Sequence, residues 1–206
     1  MKISMACGLG LLLVGASGCA ARTEVVRDRS IVLREPALLR DMTVRQHLIV
    51  TAGAGPSVQT GEFDAVLQKR GDTLLVVGLG PAGVRAFVMK QTSAGVTFEQ
   101  RFGPPLPFPP ERILLDIHRV FFRTIPPPAN GEGVTEAVVD GEAVRERWLG
   151  GALRERMIGR ADVPGSEIVS IQFGEGCVVD QCSPKTVLLR NETRGYSLEI
   201  LNEEFR

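Results

Sequence analysis

The chain is poor in the residues that chemistry usually needs. Its 206 residues include two His, one Trp, one Tyr and four Cys, and aromatics make up 5%. It has no surplus of charge, with 24 Lys+Arg against 24 Asp+Glu. That balance removes the electrostatic case for nucleic acid or for an anionic membrane surface held by a global basic field. Two His leave little for imidazole catalysis. The apolar run from Met5 to Gly18 falls short of the ~20 residues of a spanning helix. The fraction that remains apolar, 44%, is enough for a core, so a wholly disordered chain is excluded. Length allows one domain and is marginal for two.

What is present begins at the N-terminus. Met1-Lys2 precedes Met5 to Gly18, 14 residues without a charge, which fits the apolar region of a secretion signal. The run ends Leu13-Val14-Gly15-Ala16-Ser17-Gly18-Cys19. This resembles the lipobox of bacterial lipoproteins, with Ala16 where Leu is usual; an ordinary signal peptide with a chance cysteine is the alternative. The resemblance implies cleavage after Gly18, acylation of Cys19 and, because Ala20 rather than Asp follows, sorting to the outer membrane. Residues 1–18 are then a signal peptide and 19–40 a lipidated, charged tether (Arg22, Glu24, Arg27, Asp28, Arg29, Arg34, Glu35). Residues 41–206 form the folded domain. Three acyl chains exceed the two-signal requirement for stable anchoring. Cys7 leaves with the signal, so Cys177 and Cys182 remain. In an oxidising periplasm their spacing reads as a loop-closing disulfide, with free thiols or a metal as alternatives.

Period-two alternation dominates the domain. Phe63, Ala65 and Leu67 alternate with Glu62, Asp64 and Gln68, and Val96 and Phe98 alternate with Thr97 and Glu99. One wet face means antiparallel strands. Turn signals such as Arg70-Gly71-Asp72, Ser93-Ala94-Gly95, Asp140-Gly141 and Gly150-Gly151 separate the runs. About eleven strands result, near 43–52, 57–69, 72–79, 83–92, 95–102, 134–139, 142–149, 152–160, 167–175, 185–190 and 195–201. One helix interrupts them. Pro110 suits a first helical turn, Ile113, Ile117, Val120 and Phe121 form an apolar stripe, and Arg112, Asp116, Arg119 and Arg123 form a charged stripe opposite. Pro126-Pro127-Pro128 stops it. The fold class expected is mainly β with a central helix, an open antiparallel half-barrel.

Gly78-Leu79-Gly80-Pro81-Ala82-Gly83 satisfies G-x-G-x-x-G in form. No second βαβ unit exists, so it reads as a hairpin loop and not as a nucleotide site. Leu79 either stands exposed at that tip, available to a membrane or acyl chain, or packs under the helix. His47 reads as a surface or rim residue, and His118 as packing or capping. Scattered carboxylates give a glycosidase pair no positive support. No cofactor or metal is expected, and the chain reads as a non-enzyme.

The segment Pro104-Pro105-Leu106-Pro107-Phe108-Pro109-Pro110 followed by Glu111-Arg112-Ile113-Leu114-Leu115-Asp116-Ile117 resembles a family of small outer-membrane lipoproteins without assigned activity, often beside aryl-polyene or lipid-linked pathways. The architecture resembles the carrier LolA and its receptor LolB, whose unclosed barrel holds acyl chains under helices. In LolB a loop also presents an exposed Leu, and Leu79 matches it in position. The resemblance implies an outer-membrane, periplasm-facing lipoprotein that binds or transfers a lipid, acyl-bearing ligand or lipoprotein, with envelope transport proteins as partners. Phe63, Leu67, Phe87, Met89, Phe98 and Trp148 would line the concave face, with Ile113, Ile117 and Phe121 as a lid. The other readings are a structural lipoprotein of an envelope machine and an unrecognised hydrolase.

Overall fold

The computed structural model describes residues 22–26, 33–53, 55–102, 109–123, 125–163, 167–174, 177–178, 181–182 and 184–204. The signal segment and Cys19 lie outside them. Within them, every strand pairing is antiparallel and all strands join one sheet. Strands β1 (Arg22–Val26), β2 (Met42–Ala52), β3 (Gln59–Arg70), β4 (Thr73–Leu79), β5 (Arg85–Thr92) and β6 (Gly95–Gln100) make the first half. Helix α1 (Pro110–Ile117) follows and runs on as a π-helical turn, His118–Phe122. The second half holds β7 (Gly133–Val139), β8 (Glu142–Leu149), β9 (Ala152–Arg160), β10 (Glu167–Phe173), the two-residue β11 (Cys177–Val178) and β12 (Gln181–Cys182), β13 (Thr186–Asn191) and β14 (Tyr196–Glu204).

Two consecutive meanders are joined because the last strand returns to β2, β14 pairing it along Tyr196↔Ala52 to Glu204↔Val44. The path β1-β6-β5-β4-β3-β2-β14-β13-β10-β9-β8-β7 leaves β1 and β7 as edges. Pleating sends alternate residues to one face. Val44, Leu67, Val76, Met89 and Phe98 therefore form one inward row across five strands. Leu198, Leu189 and Ile171 start a matching row in the other half. Both rows belong to a single core with Leu114, Val120, Phe121 and Phe122 of the helical segment. A sheet whose two halves touch the same helix must curl around it. The half-barrel with a central helix is confirmed.

The eleven expected strands correspond to β2–β10, β13 and β14. Three others differ from expectation. Part of the segment read as tether is structured: Arg22–Val26 pairs β6 at the sheet edge, and Pro36 and Leu39 are buried. Its charges were misleading, since Arg34 reaches Asp140 at 2.8 Å. The segment read as a Cys-closed loop contains the β11–β12 ladder, with Cys177 directly opposite Cys182 in register.

The glycines of the G-x-G-x-x-G string have separate jobs. Gly78 faces inward beneath Phe87, and a Cβ there would lie 2.1 Å from the ring. A Cβ at Gly80 would lie 2.4 Å from the Phe102 ring. Gly83 turns the loop at φ +73°. Gly78→Ala must push a buried ring aside, whereas Phe102 is 39% exposed and can swing away. Gly78→Ala is expected to cost about 1–3 kcal/mol and Gly80→Ala clearly less, read from denaturant midpoints at unchanged slope.

Candidate functional site

The apolar part of the site is built where β3, β5 and β6 face α1. Phe63 and Phe87 meet edge-to-face with centroids 6.1 Å apart, and Phe98 lies 6.1 Å beyond Phe87. Phe63 and Phe98 are half-buried, as are Ile113 and Ile117 of α1, and all four pack on the same core. Leu67 and Met89 form its floor with no exposure. The residues expected to line a concave face therefore share one core, but they divide in two. Phe63, Phe98, Ile113 and Ile117 form a margin with Phe87 beneath it. Leu67, Met89, Phe121 and Trp148 are enclosed in packed protein, so at the centre the helix fills the concavity and is not a lid over space. A concavity of about 240 Å³ does exist, but on the outer face, lined by Val134, Arg145, Arg147, Glu155 and Met157.

The helix is held by charge. Its expected charged stripe is not a wet face: Asp116, Arg119 and Arg123 are all buried. The inward row of the second half continues from Ile171 to Arg156 and then Glu146, directly opposite each other. Arg156 donates from Nε to Glu146 Oε1 at 2.7 Å and from Nη2 to the carbonyl of Arg123 at 2.7 Å. Its Nη1 donates to the carbonyl of Arg119. Trp148 Nε1 donates to the other Glu146 oxygen at 3.2 Å, and the guanidinium lies 5.4 Å from the Phe173 ring centroid. The π turn, marked by Arg123 N donating to His118 O at 2.8 Å, presents carbonyls that only a planar multi-donor cation can collect. Burial pushes the Glu146 carboxyl up and the Arg156 guanidinium down, each opposed by its partner.

A second cluster locks the other side. Arg119 bonds Asp116 at 3.0 Å and also Glu142. Arg123 bonds Glu142 and approaches Asp140 at 3.5 Å. Tyr196 Oη donates to Asp116, whose pKa is raised by burial against these bonds. His118 packs as expected: it is 3% exposed, its Nε2 lies 2.8 Å from Gln91 Oε1, and Gln91 in turn donates to the Arg34 carbonyl at 2.8 Å. Burial, then Arg123 and Arg34, lower its pKa to about 4, so the ring is neutral.

His47 lies on the outer face, 2.9 Å from Asp64. Leu79 is neither fully exposed nor under the helix. It ends β4, half-buried, opposite Asp64 and Arg85 in register. The exposed apolar residue of that loop is Val84, at 56%. Of the residues that matter here, Glu146, Arg156, Gln91 and Tyr196 were not picked out from the sequence. Glu146 shares its parity with Val144 and Trp148, which was the available signal.

The profile of a family described as "Protein of unknown function (DUF3261)" matches residues 43–204. No curated protein sequence matches. Among solved structures the chain is similar to a LolA superfamily protein from Nitrosomonas europaea, at 11% identity and a TM-score of 0.43 over 82% of this chain and 89% of that one. It is also similar to an outer membrane lipoprotein-sorting protein domain from Vibrio parahaemolyticus, at 13% identity and a TM-score of 0.41 over 80% and 84%.

Removing one partner of the buried pair leaves an uncompensated charge. Arg156→Met or Glu146→Leu alone is expected to cost about 3–5 kcal/mol, and the double variant less than the sum, as read by a double-mutant cycle. The helix carbonyls lose their donor in either case that removes Arg156. His118 carries the pH dependence. Unfolded, it takes a proton near its ordinary 6.5; folded, it refuses one until about 4. Its stabilising share is thus present above 6.5 and lost as pH falls to 4. That share is at most about 3 kcal/mol. Asp116 and Glu146, with raised pKa, work in the opposite direction. The difference between wild type and His118→Gln in denaturation across this window isolates the histidine.

Proposed function

The chain belongs to the DUF3261 family of proteins of unknown function, and we propose that it is an outer-membrane lipoprotein binding or transferring a lipid, an acyl-bearing ligand or a lipoprotein at the periplasmic face. The signal peptide would end at Gly18 and Cys19 would carry the anchor. Cys177 and Cys182 would be disulfide-bonded; directly opposed antiparallel residues have Cα atoms about 4.5–5.5 Å apart, which suits that bond. The reading is of a binding or carrier protein whose work is apolar burial and not covalent chemistry.

The observation that carries the proposal is the contrast along the helical segment. Its C-terminal turn is gripped by Arg156 and by the Arg119–Glu142–Arg123 cluster. The preceding turns join the core that holds Phe63, Phe87 and Phe98 through buried Leu114 and half-buried Ile113 and Ile117. An acyl chain entering between α1 and β3–β6 would replace apolar contacts with apolar contacts and leave the Arg156 and Arg119–Glu142–Arg123 ion pairs in place. Each methylene buried there contributes about 0.8 kcal/mol. Leu79, at the end of β4 beside this margin, is the proposed membrane or acyl contact. The packed centre favours a second reading, a structural lipoprotein of an envelope machine with no lipid ligand.

Residues 20–206 exported to the periplasm and purified without detergent distinguish the two. Mass spectrometry of an organic extract is expected to find an acyl lipid near one per chain. Ile113→Glu with Ile117→Glu should abolish it. A chain that is lipid-free and exchanges none with vesicles would sink the carrier reading and leave the structural one.

A further inference from the structure

The register of β1 decides from which end of the half-barrel the N-terminus leaves. Arg22 stands opposite Gln100 and Val26 opposite Val96, so the chain upstream of Arg22 departs beyond the C-terminal end of β6. Cys19 is three residues away, ~10 Å at full extension. At that same end lie the β4–β5 loop, the β2–β3 connection and Phe102. The β13–β14 turn, with Glu192 and Arg194, adjoins the β2–β3 connection, Gly53 N donating to Gly195 O at 3.1 Å.

The β4–β5 and β2–β3 connections share a property. Residues 73–84 and 51–61 contain no Asp, Glu, Lys or Arg, in a chain where such residues make up 23%. Pro81, Ala82, Gly83 and Val84 are all exposed. Phe102 is exposed too, and its ring rests over Gly80, so it joins the loop in one patch. Charge begins one residue behind each tip: Arg85 and Arg101 flank Val84 and Phe102 and share Glu99, at 3.9 and 2.9 Å. The β3–β4 turn at the opposite end carries Lys69, Arg70 and Asp72, with Asp41 bound to Lys69 at 2.6 Å.

Exposed apolar tips backed by a charged layer match the depth profile of a bilayer boundary, where apolar side chains sink about 5–10 Å and charges stay with the headgroups. We propose that the patch formed by the β4–β5 loop and Phe102 is the face that docks on a phospholipid surface. The half-barrel then stands with this end down and the β3–β4 turn pointing away. The orientation rests on the acylated-Cys19 reading only for its tether; the patch itself is independent of it.

The test uses the full chain, matured in bacteria and reconstituted into phosphatidylethanolamine–phosphatidylglycerol vesicles containing brominated phosphatidylcholine. Val84→Trp and Phe102→Trp report on the patch, and Ser93→Trp on the opposite end. Wild-type Trp148, buried and bonded to Glu146, supplies the background. Mass spectrometry of the N-terminal peptide reads acylation in the same samples. Expected is blue-shifted, strongly quenched emission for Val84→Trp and Phe102→Trp, with Ser93→Trp unquenched. Acylated Cys19 with all three probes in water overturns the docking face and leaves the lipoprotein reading standing. Quenched patch probes on an unacylated chain support the face and overturn the anchor. Unquenched probes on an unacylated chain overturn both.

Discussion

The placement of the helix depends on one buried cation. Arg156 sits where the inward row of the second half should carry an apolar residue, and Glu146 occupies the neighbouring position. An ion pair facing a core is costly unless every donor and acceptor is used. Here the guanidinium spans Glu146 and the carbonyls of Arg119 and Arg123, while Trp148 takes the remaining carboxylate oxygen. Those carbonyls come from a π turn. With an α-helical ending, the last carbonyls would point along the axis, and one side chain on the sheet would not collect them so well. The turn, the pair and the seat of the helix therefore require one another.

From this grip the rest of the interior follows. Once the C-terminal turn is fixed, Leu114, Val120, Phe121 and Phe122 fill the centre of the concavity and join both halves of the sheet into one core. The charged stripe of the helix is left facing β8 and β14, where Glu142 and Tyr196 receive it. A fold that buries so many charges around one end of a helix packs the preceding turns into the apolar core through Ile113, Leu114 and Ile117.

Alternation made the eleven main strands legible, because each has one wet and one dry face and a turn on either side. The half-barrel followed from their number and from a single helix bounded by prolines. The charged stripe misled for a physical reason. Asp116, Arg119 and Arg123 at helical spacing look like solvent contacts unless their partners on other elements are known, and pairing across 23 or 80 residues leaves no local trace. Strand β1 was hidden by its charge: an edge strand needs no alternation strong enough to mark it. Leu79 was judged by its neighbours, three glycines and a proline, although ladder pairing with Asp64 and Arg85 decides its position. The margin residues were found because aromatics at strand parity are conspicuous. The division between margin and packed centre was not, since it depends on where the helix lies.

Charge neutrality takes on a structural meaning in this light. A chain with 24 residues of each sign could display them as a mixed surface. Instead, several are turned inward to hold the helix, and the end from which the N-terminus departs carries none in two of its connections. The docking proposed for that end rests on exposed Val84 and Phe102, with Arg85 and Arg101 one residue behind them. Two uncharged connections with exposed Val84 and Phe102 at that end make a poor solvent-facing surface and a good lipid-facing one. The half-buried aromatic margin lies toward this end too, since Phe63 and Phe87 stand near the starts of β3 and β5 and Phe98 near the end of β6.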